Sequence, residues 1–162
     1  MNATRERTAV HVRWMLRRDF WQVLQIEFGS FDYPWGLADF IRCLRQRNCL
    51  GMTAVEQDDD KLVAGFMVYE HFADRIELLN FAVAGDYRRR GVGRRMIEKL
   101  KLKLSPRRGF GWRRRLLTAD VWERNLEAQL FFRAMGFRSQ AIVRKKYEIG
   151  EDAYRFVYET GG

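Results

Sequence analysis

The segment Arg88-Arg89-Arg90-Gly91-Val92-Gly93 has residue types and a spacing suited to chemistry. Glycine lets backbone N–H groups turn toward a ligand without a Cβ in the way. A helix starting at this point adds partial positive charge at its N-terminus. Together they make a nest for a phosphate or a pyrophosphate. The spacing is neither GxxxxGK[ST] nor GxGxxG, which argues against a P-loop or a Rossmann site. A GxG at a helix start is by itself a common structural feature. Here an apolar strand, Leu78-Leu79-Asn80-Phe81-Ala82-Val83, runs into it, Arg88 stands three residues before Gly91, and an amphipathic stretch follows.

The elements that must hold this loop follow from the patterning. Val10, Val12, Trp14 and Leu16 alternate with polar residues and predict a first strand. Asp19 is placed to cap a helix over 20–28, with Gly29 as its stop. A loop rich in aromatics, 30–35, leads to a second helix over 36–47 with Leu37, Phe40, Ile41 and Leu44 on one face. Strands over 49–56 and 62–72 flank the turn Asp58-Asp59-Asp60, and a third runs over 76–83. Gly91 then opens a long helix carrying Val92, Met96, Ile97, Leu100 and Leu104 at helical spacing, ended by Pro106. A strand over 116–121, a helix over 126–135 capped by Asn125 and closed by Gly136, and strands over 137–149 and 153–159 complete the chain. The order β-α-α-β-β-β-α-β-α-β-β is an α+β class with a mixed sheet of about seven strands and four helices on its faces. The 162 residues suit a single domain, 1–162.

Composition sets the partners. The formal net charge is +9, and residues 88–115 hold thirteen of the thirty Lys and Arg against one acid, Glu98. A single-signed cluster implies a polyanionic partner: a phosphorylated cofactor, RNA or an anionic membrane. The bland alternative is a solvated basic helix face. No apolar run approaches the roughly 20 residues of a membrane span, and Met1–Arg7 lacks the apolar stretch of a secretory signal, so the expected location is cytoplasmic, without a membrane partner. Cys43 and Cys49 are too few for a disulfide framework and are expected as buried, inert thiols. His11 and His71 show no ligand spacing, and no metal site is expected.

Arg88-x-x-Gly91-x-Gly93 resembles the acetyl-CoA loop of the GNAT superfamily, [QR]-x-x-G-x-[GA]. Leu79-Asn80-Phe81-Ala82-Val83 looks like the strand before that loop. Asp120-Val121-Trp122-Glu123-Arg124-Asn125, with Ala128 and Met135-Gly136-Phe137, is similar to the family's second signature. Phe31-Asp32-Tyr33-Pro34-Trp35, Arg144-Lys145-Lys146-Tyr147 and Glu151-Asp152-Ala153-Tyr154 resemble the ribosomal-protein alanine N-acetyltransferases, the RimI-like group.

The resemblance implies an N-acetyltransferase with acetyl-CoA as co-substrate and no metal, and it implies roles. Backbone N–H groups of Arg88, Arg89, Arg90, Gly91, Val92 and Gly93, with Arg94 beside them, hold the pyrophosphate. Phe81, Ala82 and Val83 carry the pantetheine arm by backbone pairing, and the N–H of Phe81 polarises the thioester carbonyl. Asn125 hydrogen-bonds the pantetheine, caps its helix, or does both. Tyr33, Trp35 and Tyr147 line the acceptor groove, or pack as core aromatics.

Two positions depart from the RimI-like pattern. Asp120 stands where that group has a glutamate base; one methylene shorter, it would work through a water. Phe132, placed with the cofactor residues by counting from Asn125, stands where the family has a proton-donating tyrosine, and phenylalanine has no donor. Tyr147 and Tyr154 are alternative donors, and Glu77 is a second candidate base. A weak base set suits an α-amine, with a reference pKa of about 7.7–8.0, better than a lysine at about 10.4. The acceptor expected is therefore a protein N-terminus. One rival is a small-molecule amine. Another is a non-catalytic RNA or ribosome contact through the basic, aromatic loop 107–115.

Overall fold

In a computed structural model the described residues are 8–105, 114–144 and 151–161. The elements are β1 (Val10–Trp14), α1 (Phe20–Ser30), α2 (Leu37–Leu44), β2 (Cys49–Glu56), β3 (Val63–His71), β4 (Arg75–Val83), α3 (Val92–Lys101), β5 (Leu116–Trp122), α4 (Leu126–Ala134), β6 (Arg138–Val143) and β7 (Ala153–Glu159). The strands form one mixed seven-stranded sheet in the order β1-β2-β3-β4-β5-β7-β6. Single 3₁₀ turns at Arg17–Asp19 and Gly85–Tyr87 precede α1 and the arginine loop. The chain divides into two compact units: Met1–Tyr69 with Asn80–Lys99, and Glu70–Leu79 with Leu100–Gly162.

In the first unit β1 pairs antiparallel with β2, Val10 opposite Glu56 and Trp14 opposite Met52. Its core is built from Val23, Phe40, Phe66, Met67, Met96 and Ile97, all fully buried. Phe40 of α2 meets Phe66 of β3 edge-on, 5.6 Å between ring centroids. The expected cap at α1 takes another form. Asp19 precedes the helix but makes no side-chain cap bond to it. Its carboxylate instead accepts from Arg13 at 2.7 and 3.0 Å and from the N–H of Leu16 at 2.7 Å. Gly29 lies inside α1 and is not its stop. The helix continues one residue further, to Ser30, whose hydroxyl bonds back to the carbonyl of Ile26 at 2.6 Å.

The expectation of two free thiols is overturned. Cys43, in the last turn of α2, and Cys49, opening β2, form a disulfide across a Cα–Cα distance of 6.1 Å. The chain reverses over the intervening residues, and this brings two cysteines six apart into the range a disulfide spans.

In the second unit β4 and β5 run parallel, from Arg75 opposite Leu116 to Leu78 opposite Ala119. β5 and β7 pair antiparallel over their full lengths, and β6 adds to β7 with an irregularity between Ser139 and Ala141. β6 ends at Val143; the expected continuation over 145–149 lies outside the described residues. Ile76, Leu117, Phe132, Phe137 and Phe156 form the buried centre.

Candidate active site

The expected site residues fall in both units, and each group has its own geometry. In the first unit, β4 alternates strictly: Asn80 and Ala82 are buried, Phe81 and Val83 half-buried. Gly65 on β3 allows the close approach, since a Cβ there would lie 2.9 Å from the carbonyl oxygen of Ala82. The N–H of Ala84 donates to the carbonyl of Ala64 at 2.8 Å. Both contacts turn the backbone groups of Ala82 and Ala84 toward β3, and strand alternation turns those of Phe81 and Val83 to the opposite edge.

In the loop after β4 two alternate residues adopt the left-handed backbone region. Arg89 and Gly91 both have positive φ, +60° and +84°. Positive φ at alternate positions turns successive N–H groups to one side. A Cβ on Gly91 would meet nothing within 4 Å, so glycine serves here through φ and not through a tight contact. The N–H of Arg95 donates to Gly91 O at 3.1 Å. The N–H groups before it are those a helix leaves without an internal acceptor.

Arg88 turns away from the nest. Its Nε donates to the carbonyl of Val83 at 3.1 Å and a terminal nitrogen to the Ser30 hydroxyl at 3.2 Å. The hydroxyl of Tyr87 donates to Glu56. That bond, with burial and the charge of Glu56, pushes the phenol up to about 12. Both contacts hold the start of the turn, where the N–H of Arg88 also donates to the carbonyl of Gly85 at 3.4 Å.

Sequence reasoning missed Glu27. It sits on the buried face of α1 with Val23 and Ile26 and is only 2% exposed. One carboxylate oxygen accepts the backbone N–H of Trp35 at 2.9 Å and the other accepts the side-chain amide of Asn80 at 2.9 Å. Burial pushes its carboxyl up, against the two hydrogen bonds, which pull it down. An acid at helical spacing in an apolar stripe, Val23–Ile26–Glu27, was the available signal. Trp35 itself packs edge-on against Phe40, 5.2 Å between ring centroids, and Tyr33 is 66% exposed.

In the second unit, Asp120 is engaged on both oxygens by Arg155, its partner across β5 and β7, at 2.8 and 3.0 Å. The hydrogen bond to Asp120 raises the pKa of the Arg155 guanidinium. Glu77 accepts from the Nε of Arg75 at 2.8 Å. Both candidate bases are thus held as ion pairs. Asn125 caps α4, its Oδ1 accepting from the N–H of Ala128 at 3.1 Å. Phe132 is 4% exposed and lies among Phe131, Phe137 and Phe156, with ring centroids 5.3, 5.0 and 6.2 Å away. The structure therefore places Phe132 as a core aromatic. Tyr154 stands opposite Val121 in the β5–β7 ladder.

Tyr147 and residues 107–113 of the basic loop lie outside the described residues. At the loop's far end Arg114 donates to the carbonyl of Phe72 at 2.7 Å, and Arg115 pairs with Glu159 at 3.4 Å. Among the described residues no group of three or more His, Cys, Asp or Glu is placed to hold a metal. Among them, too, no helix is long and apolar enough to cross a membrane.

With this geometry in place, comparison with known proteins gives a consistent answer. The family model for the acetyltransferase (GNAT) family matches residues 17–137. A [ribosomal protein bS18]-alanine N-acetyltransferase from Salmonella typhimurium is 31% identical over 124 residues, 76% of each chain. The crystal structure of the ribosomal-protein-S18-alanine N-acetyltransferase from Escherichia coli superposes with a TM-score of 0.76 at 24% identity, covering 94% of this chain and 96% of that one. Arabidopsis thaliana NAA60, in complex with a bisubstrate analogue, superposes with a TM-score of 0.80 at 20% identity, over 95% and 99% of the two chains. The chain belongs to the acetyltransferase (GNAT) family, and the fold expected from the sequence is the fold found. It is an N-acetyltransferase that uses acetyl-CoA.

Proposed function

We propose that the acceptor is the α-amine of a protein N-terminus, of the ribosomal-protein type, and that the enzyme works in the cytoplasm. The observation that carries this reading is the state of the candidate bases. Asp120 is bound on both oxygens by Arg155, and Glu77 is paired with Arg75. A site whose carboxylates are occupied in this way does best with an amine that is already partly neutral. Reference values of about 7.9 for an α-amine and 10.4 for lysine make the neutral α-amine roughly 300-fold more abundant near neutral pH. The Salmonella relative, whose name gives a protein alanine as its acceptor, supports the same choice.

Several of the roles proposed for the site residues have support in the geometry. Acetyl-CoA supplies the acetyl thioester. The N–H groups of Arg89–Gly93, with Arg88 holding the start of the turn and Arg94 adding charge, cradle its pyrophosphate, a role the positive φ at Arg89 and Gly91 supports. Phe81, Ala82 and Val83 form the strand that carries the pantetheine arm. The backbone groups of Phe81 and Val83 lie at the edge opposite β3, with the Val83 carbonyl accepting from Arg88, and the N–H of Phe81 is the group assigned to polarise the thioester carbonyl. Asn125 contributes its amide nitrogen while its oxygen caps α4. Tyr33 and Trp35 bound the acceptor on the loop before α2, and the family resemblance assigns Tyr147 the same role. Asp120 acts on the amine through a water, weakly, because of Arg155. Positioning then supplies much of the rate. Phe132 takes no part in proton transfer.

The test is thiol release from acetyl-CoA over N-terminal peptides, N-terminally blocked lysine peptides and small amines. Preference for free N-termini by two orders of magnitude in kcat/KM is expected. Equal or better turnover of lysine peptides or polyamines would reject the acceptor assignment.

A further inference from the structure

We propose that Glu27 is a positioning residue for the acceptor, fixing the loop of Tyr33 and Trp35 to the strand that carries Phe81. The inference rests on the assignment of that loop to the acceptor. Glu27 reaches both elements from α1: the N–H of Trp35 donates to one oxygen and the Asn80 amide to the other, each at 2.9 Å. Asn80 is the residue before Phe81 on β4 and is itself buried. On its other side the loop is held by the Trp35 ring against Phe40, which rests on Phe66 of β3. Tyr33, two residues before Trp35, is left exposed.

The chemistry explains why an acid stands on an apolar helix face. Two donors from different elements converge on one buried point, and a carboxylate is the side chain that offers acceptors to both. Burying its charge is costly unless both bonds form. The site therefore favours one loop geometry over its alternatives, where an apolar side chain would tolerate several. Burial has raised the pKa of this carboxyl, consistent with a group kept for its bonds and not for its solvation.

Glu27→Gln keeps the shape but leaves one acceptor for two donors. The expected result is a rise of about tenfold in KM for an N-terminal peptide, the order set by one lost charge-assisted hydrogen bond, with kcat and acetyl-CoA affinity within about twofold. Hydrogen exchange at the Trp35 amide should speed up by about tenfold on the same reasoning. The double variant Glu27→Gln/Asn80→Asp restores the pairing with donor and acceptor exchanged, and KM and Trp35 exchange should return toward wild type. Unchanged KM and unchanged exchange in Glu27→Gln, or no recovery in a folded double variant, would overturn the proposal. Failure of the wild-type enzyme to acetylate any N-terminal peptide would instead overturn the acceptor assignment. Trp35 exchange would still report whether Glu27 holds the loop.

Discussion

Gly65→Ala should damage cofactor binding from a position that touches no ligand. A Cβ at residue 65 would lie 2.9 Å from the Ala82 carbonyl oxygen and 2.9 Å from the Met96 methyl carbon. The methyl is the end of a flexible side chain and can move aside. The carbonyl is backbone in β4, flanked by Phe81 and Val83. Relief of a contact several tenths of an ångström too short must therefore displace β3 from β4 or tilt the peptide that the pantetheine is proposed to follow. Overpacking of this kind costs about 1–3 kcal/mol. At roughly 2–4 °C per kcal/mol for a chain of this size, Tm should fall by about 2–12 °C. Acetyl-CoA should bind more weakly, so its stabilisation of the variant should shrink. Gly29→Ala is the control: it lies inside α1 with nothing within 4 Å of its Cβ, so the same change should stabilise by about 0.4–1 kcal/mol. The assay is thermal melting of both variants with and without millimolar acetyl-CoA. A Gly65→Ala protein as stable as wild type, with an undiminished acetyl-CoA shift, would refute the reasoning.

Other expectations follow from single residues. Gly91→Val should lose the acetyl-CoA melting shift; the cause is its φ of +84°, since space is available around it, and a branched residue in that region costs about 1–3 kcal/mol. Phe132→Tyr should bury a hydroxyl among Phe137 and Phe156, lowering stability by about 1–3 kcal/mol with turnover unchanged; a rise in turnover would show that the ring faces the reaction. Burial alone would raise the pKa of Asp19, but the hydrogen bonds and charge of Arg13, with the Leu16 N–H and Thr53, outweigh it and hold the folded value low. The unfolded chain therefore binds the proton more readily. The stability Asp19 contributes is full above its unfolded value near 3.8 and is lost as pH falls through the folded one. Asp19→Asn should flatten that acid limb in melts taken from about pH 5 to pH 2, and an unchanged limb would show that the Arg13 pair does not survive in solution.

The strands and helices were legible because their patterning is local. Alternation over Val10–Trp14 and helical spacing over Met96, Ile97 and Leu100 need no knowledge of partners. The arginine loop was legible for the same reason, since glycine spacing and the helix start are adjacent in sequence. What escaped depends on distant register. Asp120 meets Arg155 across 35 positions, and Glu27 meets Asn80 across 53; neither partner can be read from a window. The disulfide depends on the reversal between α2 and β2, not on the bare spacing of two cysteines. Phe132 shows what counting along a motif leaves open: the count gives a position on α4, and only the folded chain gives the burial of its ring beside Phe137 and Phe156. Gly65 does carry a sequence signal, a glycine inside the apolar run Val63-Ala64-Gly65-Phe66, which marks a close backbone approach.

One reaction shows directly which amine receives the acetyl group. One peptide carrying both a free N-terminal alanine and an internal lysine, incubated with acetyl-CoA and catalytic enzyme, presents both amines at equal concentration, and fragment mass spectrometry of the product locates the added acetyl group. Acetylation is expected at the N-terminal nitrogen, with the lysine unmodified at single turnover of the peptide. Acetyl on the lysine side chain, with the N-terminus left free, would contradict the acceptor assignment.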